Sequence, residues 1–249
     1  MSYLNANAGI RACVIALVLL LVWWLVVLIT GVPKFILPSP DTVFIRLWQL
    51  TDVLYPHLMI TLIEIIFGLL IGVSAGLIFA LLMAHYQPVR LWLLPVLVIS
   101  QAIPVFAIAP ILVLWFGYGM LSKVIMAAVI IFFPILMTSF DGLRHSSKDY
   151  VGLALSMQAK PWQILWRIQL PAAMPVIASG VRMAMVIAPI GAIIGEWVGS
   201  SQGLGYFMLY ANARMQVADM FAALFLLCLL SSLLYYLSDQ CLKRIVFWQ

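Results

Sequence analysis

The chain has 249 residues, of which 66% are hydrophobic and 8% are charged. Soluble domains contain about 45–50% apolar and about 25% charged residues, so this composition predicts an integral membrane protein. It excludes soluble enzymes, secreted disulfide scaffolds and nucleic-acid-binding proteins. The 13 Lys and Arg, which leave a net charge of +5, are scattered along the chain and indicate orientation in a membrane rather than a nucleic-acid partner.

Long uncharged runs predict an all-α transmembrane fold, with about six membrane-spanning helices in a single domain that covers residues 1–249. A bilayer core about 30 Å thick needs roughly 20 residues of apolar helix. The runs that meet this length are 12–29, 57–84, a crossing within 91–122, 124–140, 174–198 and 220–237. The first run lacks a small-residue cleavage site, so we expect a retained anchor rather than a signal peptide.

A short helix is predicted between the first two spans. Ser39 is followed by Pro40 and Asp41, which is typical of a helix start, and apolar residues then recur at helical spacing. With Trp48 as an interfacial anchor, the pattern predicts a helix that lies on the outer membrane surface and braces the bundle.

Prolines interrupt the third crossing. Pro95, Pro104 and Pro110, together with Gly117, fit either two short helices or one kinked helix followed by a turn. Proline removes a backbone donor, and lipid tolerates this only where neighbouring groups satisfy the freed carbonyl. We therefore expect this stretch to face protein or a transport pathway.

Basic residues in alternate loops predict which side of the membrane is cytoplasmic. If residues 91–122 cross once, one side holds eight, namely Arg11, Arg90, Arg144, Lys148, Lys160, Arg167, Lys243 and Arg244, and the other holds four, namely Lys34, Arg46, Lys123 and Arg214. This count places both termini and the 141–173 segment in the cytoplasm. Arg182, inside the fifth span, is expected to extend its side chain to the headgroups. Two crossings within 91–122 would reverse every later loop.

The 141–173 segment is predicted to contain two helices. Ser146 is a candidate N-cap with Asp149 three residues on, and residues 150–159 continue without a helix breaker. Pro161 is well placed to begin a second helix over 162–169, after which 170–175 should turn the chain back into the membrane. The apolar tip of the first helix either docks on a partner or lies in the headgroups.

The end of this segment, Ile168-Gln169-Leu170-Pro171, resembles the cytoplasmic signature of the permease subunits of type I ATP-binding-cassette (ABC) importers. Further blocks resemble the subfamily that transports nitrate, taurine, alkanesulfonates and thiamin precursors. These blocks lie at 101–104, 109–110, 114–119, 133–136, 195–199 and 203–206.

The resemblance implies the MetI-like permease fold with a cytoplasmic coupling helix that docks on an ATPase subunit. The coupling residues that it implies are Gly152, Leu153, Ala154, Leu155, Ser156, Met157, Gln158, Ala159, Leu170 and Pro171. Gly152 stands where the family has Glu, Leu153 where it has Ala, and Gln158 where it has Gly. The Glu that makes the family's usual polar contact is therefore absent, whereas the apolar tip suits a helix-in-groove contact.

The resemblance also implies partners and a location. The partners are an ATPase subunit dimer, an external solute-binding protein and a second copy of the chain in a homodimer, within the lipid bilayer of a bacterial inner membrane. The chain itself contains no Gly-x-x-x-x-Gly-Lys-Ser/Thr phosphate-binding loop, so ATP should bind to the partner subunit. We therefore expect a transport subunit without enzymatic activity or a cofactor, and the three dispersed histidines predict no metal site.

Polar residues within the spans are the candidates for the translocation pathway or its gate, because charge in a span is costly. Glu64 is predicted either to line the pathway or to bond to a neighbouring helix. Glu196, in a glycine-rich stretch, fits a gate or a structural role better than substrate contact. Ser100 and Gln101, beside Pro104, either line the pathway or bond to kinked backbone.

Two other classes of protein fit the sequence less well than an importer permease. A self-sufficient secondary transporter would need paired ionisable groups near the middle of the membrane and usually an internal repeat, but Glu64 alone supplies too little and the sequence shows no repeat. An intramembrane enzyme would need a metal set or a nucleophile with a base, and the sequence shows neither. Within the importer hypothesis, residues 194–215 most resemble permeases for the thiamin pyrimidine precursor of the hydroxymethylpyrimidine type, with sulfonate, taurine or nitrate as alternatives.

Overall fold

The computed structural model describes residues 2–145 and 148–248, which form a series of helices. These are α1 (Ser2–Thr30), α2 (Pro40–Gln49), α3 (Thr51–His85), α4 (Gln87–Ser100), α5 (Val105–Phe116), α6 (Met120–Arg144), α7 (Lys148–Ser156), α8 (Pro161–Ile164), α9 (Leu170–Gly199), α10 (Leu204–Ala213) and α11 (Val217–Ile245). A π-helical turn, Leu165–Gln169, joins α8 to α9. The predicted all-α transmembrane fold class is confirmed.

In the described part of the chain, five helical stretches are long and apolar enough to cross a membrane. The helices α4 and α5 make a sixth if they are counted as one span, and they meet at an angle of 101°. Pro104 lies at the break, where it is the N-cap of α5 and has an extended ψ of 120°. The predicted interruption of this crossing is therefore a sharp bend into two short helices.

The helices α3, α6 and α9 form the centre of the bundle. Glycines spaced four residues apart on α3, at Gly68, Gly72 and Gly76, allow α6 to approach closely, since a Cβ at any of them would lie within 3.0 Å of an α6 atom. Their neighbours on α6 are Ala127, Ile131 and Ile135. Alanines of α9 fill the other side of this core, at Ala184, Ala188 and Ala192.

The short helix α2 packs on α11 as a brace. Its Val43 is buried and Trp48 is 85% exposed, which matches the predicted amphipathic pattern. Arg46 makes a bidentate ion pair with buried Asp219, with Nε 2.5 Å from Oδ1 and Nη2 2.7 Å from Oδ2. Hydrogen bonding to Asp219 raises the pKa of the Arg46 guanidinium above its ordinary value.

The first helix of the 141–173 segment, α7, ends earlier than predicted. It stops at Ser156 rather than 159 because Gln158 has a φ of +60°. The N–H of Gln158 donates to the Leu155 carbonyl and that of Ala159 to the Ala154 carbonyl, which is a Schellman helix end. The predicted N-cap, Ser146, lies outside the described residues.

The predicted turn at 170–175 was wrong, because helical structure runs on from Pro161 to Gly199. The π-turn accounts for this continuity. Its Leu170 N–H bonds to the Leu165 carbonyl five residues back, so Pro171, which has no N–H, follows a place where the α-helical ladder is already shifted.

Two further predictions need correction. Arg182 does not extend to the headgroups alone but donates to Asp239 of α11 at 2.8 Å, and Lys243 lies 2.5 Å from the same carboxylate. The stretch between the predicted spans 174–198 and 220–237, for which no helix was predicted, contains α10, and its glycines lie at the start of this helix.

Candidate functional site

A buried polar cluster lies at the end of the bundle opposite α7. Glu64 of α3, Lys123 of α6 and Glu196 of α9 are all buried there. The Lys123 Nζ is 2.7 Å from Glu64 Oε1 and donates to Ser200 Oγ at 2.9 Å. The sequence count placed Lys123 in a loop, but the structure places it in the first turn of α6 because its charge is paired inside the bundle.

Glu196 caps α10 from a neighbouring element. The helix has no side-chain cap of its own, since its N-cap residue is Gly203. Instead, Glu196 Oε2 accepts the backbone N–H groups of Gly205 at 2.5 Å and Tyr206 at 3.2 Å. A carboxylate at this position also interacts favourably with the helix dipole.

Side chains from α3 satisfy the remaining N–H groups at the start of α10. Thr61 Oγ1 accepts the Leu204 N–H at 2.8 Å and donates its own proton to Glu196 Oε1 at 2.6 Å. His57 Nδ1 accepts the Gly203 N–H at 3.0 Å. The N–H groups of residues 203–206, which a helix start leaves unpaired, thus all have partners.

Gly203 is required by this arrangement. Its φ of +114° lies in a region that residues with a Cβ rarely adopt. A Cβ would also collide with the Glu196 carboxylate. The glycine therefore permits both the backbone conformation and the close approach of the capping group.

Each carboxyl group of the cluster has its own source of compensation. Glu64 pairs with the Lys123 ammonium group, and Glu196 lies at the positive end of α10. Among residues 2–145 and 148–248, neither oxygen of Glu64 has a partner with hydrogen-bond geometry, so its compensation comes from the ion pair with Lys123. Removal of one partner would leave an uncompensated buried charge.

The sequence-predicted pathway candidates separate into two groups. The structure brings Glu64 and Glu196 together in the cluster. Ser100, Gln101 and Pro104 lie at the bend between α4 and α5, where Ser100 Oγ donates to the Leu97 carbonyl at 2.8 Å and Gln101 is exposed.

Sequence reasoning missed four members of the cluster: His57, Thr61, Lys123 and Ser200. Hydroxyl and imidazole groups in a span carry no pattern that assigns them as caps for a helix more than 140 residues away. The glycine-rich start of α10 was a usable signal, because a helix without its own cap needs acceptors from elsewhere.

The predicted coupling residues form the second candidate site. Leu153 is 60% exposed and Met157 is 75% exposed on α7, while Ala154 is buried. Gly152 and Leu155 are exposed as well, and Leu170 and Pro171 lie at the start of α9. A shallow groove continues from the α7 tip toward the π-turn, lined by Tyr150, Leu153, Ala154, Met157, Arg167, Ile168 and Ala172.

An apolar helical bundle with several membrane-length helices is the architecture of a multi-pass membrane protein. Residues 68–246 match the family described as "Binding-protein-dependent transport system inner membrane component", and the chain belongs to this family. The predicted resemblance to ABC importer permeases is thereby confirmed.

Relatives of known name support the same family. A probable ABC transporter permease protein of Haemophilus influenzae is 50% identical over 92% of this chain and 94% of its own length. The formylaminopyrimidine transport permease protein ThiX of Halalkalibacterium halodurans is 38% identical over 87% of each chain. The riboflavin transport system permease protein RibX of Chloroflexus aurantiacus is 37% identical over 94% of this chain and 89% of its own.

The fold also resembles a solved structure. A chain of the inward-facing MetNI methionine ABC transporter superposes with a TM-score of 0.60 at 20% identity, over 80% of this chain and 96% of that one. The predicted MetI-like permease fold is therefore confirmed.

Proposed function

We propose that this chain is the membrane-spanning permease of an ATP-driven importer for a pyrimidine precursor of thiamin. Family membership supports the importer. The name of a 38% identical relative, a formylaminopyrimidine permease, supports the substrate class. Sulfonate, taurine and nitrate are the alternatives from the sequence, and the 37% identical relative named for riboflavin adds another.

We further propose that two copies of the chain act with an ATPase dimer and a solute-binding protein. One copy supplies up to six spans, so a homodimer would enclose a pathway between two bundles. Energy must come from another subunit, because the sequence contains no phosphate-binding loop for ATP.

The exposed apolar tip of α7 is the observation that carries the proposal that this chain acts with an ATPase subunit. Large apolar side chains on a helix outside the spans need a partner that buries them. A helix laid in a groove of the ATPase would bury Leu153 and Met157 in this way. Residues 152–159 would then form the contact, with Leu170 and Pro171 connecting it to α9.

Charged substitutions at this tip test the coupling. In the complete importer in proteoliposomes, we expect Leu153→Asp or Met157→Asp to reduce ATP-driven uptake at least about tenfold, since a buried charge without a partner costs more than about 1.4 kcal/mol. Leu153→Met, which keeps an apolar side chain, should retain uptake. Normal uptake by both Asp variants would refute a docking role for α7.

The ligand held by the associated binding protein tests the substrate. We expect a pyrimidine to copurify with that protein and to be taken up by proteoliposomes that contain the complete importer. Copurification of a sulfonate, nitrate or riboflavin instead would replace the pyrimidine assignment and leave the importer function intact.

A self-sufficient secondary transporter is the second hypothesis, because the cluster does place paired ionisable groups inside the bundle. In this chain, however, Glu196 is engaged in capping α10. Gradient-driven uptake by vesicles that contain this chain and no ATPase would favour the secondary transporter. We expect no uptake from such vesicles.

A further inference from the structure

The Lys123 ammonium group connects the core of the bundle to an exposed turn. It pairs with Glu64 of α3 and also donates to the hydroxyl of Ser200, the first residue after α9. The Ser200 hydroxyl in turn bonds to the backbone of Gln202, whose N–H donates to it at 3.1 Å. The conformation of the 200–203 turn therefore depends on a hydroxyl that Lys123 holds.

This turn is more exposed than the elements on either side of it. Ser201 and Gln202 are exposed, whereas Gly199 and Gly203 at its two ends are buried. The cap that Glu196 provides fixes the start of α10 just beyond the turn. The Lys123–Ser200 contact is thus a polar link from α6 to the first residue of this turn.

We propose that Lys123 is a positioning residue that holds the 200–203 turn closed against the bundle, and that release of Ser200 opens this end of the permease during transport. The opening of a pathway rests on the proposed function, whereas the closed turn rests on the contacts alone. The role follows from the double contact of one ammonium group with a buried carboxylate and a surface hydroxyl.

The ion pair with Glu64 explains why the free-energy cost of such a release is small. A buried ammonium group that lost its partner would be strongly destabilised. Lys123 stays paired with Glu64, at 2.7 Å, whether or not Ser200 is in place. Opening therefore breaks one hydrogen bond and leaves no uncompensated buried charge. An element that switches between two states needs such a small difference between them.

Labelling of a cysteine in the turn tests this role. The complete importer carries Gln202→Cys in a background without the three native cysteines, and the rate of reaction with a membrane-impermeant maleimide is measured without nucleotide. The double variant Glu64→Gln/Lys123→Met removes both charges, so the bundle is expected to fold, as thermal unfolding can verify. We expect labelling at least about tenfold faster than in the parent, because a hydrogen bond from a charged donor is lost.

Ser200→Ala is the matched variant. It removes the hydroxyl that Lys123 holds and leaves the Lys123–Glu64 pair in place, so the turn should be labelled faster than in the parent, as in the double variant. Equal labelling of the parent and the double variant would overturn the proposal. So would labelling of Ser200→Ala at the rate of the parent, because the double variant would then act through the bundle and not through Ser200. Labelling requires neither substrate nor ATP hydrolysis, so this outcome is independent of the substrate and coupling tests.

Discussion

Gln158 occupies a position whose backbone conformation favours glycine. The family signature has Gly there, and the structure shows why, since the residue ends α7 with a φ of +60°. A residue with a Cβ pays about 1 kcal/mol for this conformation. Gln in place of the family's glycine therefore raises the free-energy cost of ending α7 here, while the geometry of the helix end is kept.

Gln158→Gly should consequently stabilise the end of α7. We expect amide exchange in α7 to slow about fivefold, which corresponds to about 1 kcal/mol of local stability. Gln158→Ala keeps the Cβ and serves as the control. Equal exchange rates in the Gly and Ala variants would contradict the explanation.

Gly203→Ala should be much more harmful than Gly117→Ala. Both glycines have positive φ, of +114° and +79°, but a Cβ at Gly117 meets open space whereas one at Gly203 meets the Glu196 carboxylate. We expect a cost of about 2 kcal/mol at Gly117, from the backbone conformation alone, and about 4 kcal/mol or more at Gly203, measured by thermal unfolding in detergent. Similar costs at both positions would show that the cap does not constrain Gly203.

At the scale of elements, the ion pair between Arg46 and Asp219 fastens α2 to α11. Arg46→Met should destabilise the protein by about 2 kcal/mol, because it leaves the buried carboxylate of Asp219 unpaired. The double variant Arg46→Met/Asp219→Leu should recover most of this loss. Thermal unfolding of the single and double variants gives the coupling free energy between Arg46 and Asp219. If the effects of the two substitutions simply add in the double variant, the ion pair does not fasten α2 to α11.

The spans were predictable and the elements between them only in part. Long apolar runs mark membrane helices whatever their neighbours are, and Pro104 marked the bend between α4 and α5. The helix α10 was missed because its cap comes from Glu196 and Thr61, on other helices. The continuous path into α9 was missed because a π-turn has no simple sequence pattern.

The same division applies to the candidate site. Glu64 and Glu196 were identified because charge is rare in apolar helices. The ion pair of Glu64 with Lys123 was not, since it joins residues 59 positions apart in separate helices, and a single sequence does not reveal such pairs. The apolar tip of α7 was predicted because exposure follows from local pattern and from its position outside the spans.

At the scale of the whole molecule, the bend between α4 and α5 determines the orientation of everything after it. If the pair crosses the membrane once, alkaline phosphatase should be inactive when fused at residue 145 or 249 and active when fused at residue 50. The excess of Lys and Arg around α7 favours this orientation. Phosphatase activity at residue 145 together with activity at residue 50 would indicate that α4 and α5 do not make a single crossing and instead form a re-entrant loop or cross twice.

The unbroken helical run Pro161–Gly199 has a mechanical consequence. Its 39 residues extend about 58 Å at 1.5 Å per residue, so the groove beside α7 and the Glu196 cap lie near opposite tips of one lever. A tilt of about 10° around its midpoint would displace each tip by about 5 Å, in opposite directions. A displacement of this helix at one membrane face would thus move its other end at the opposite face, without a relay of side chains in between.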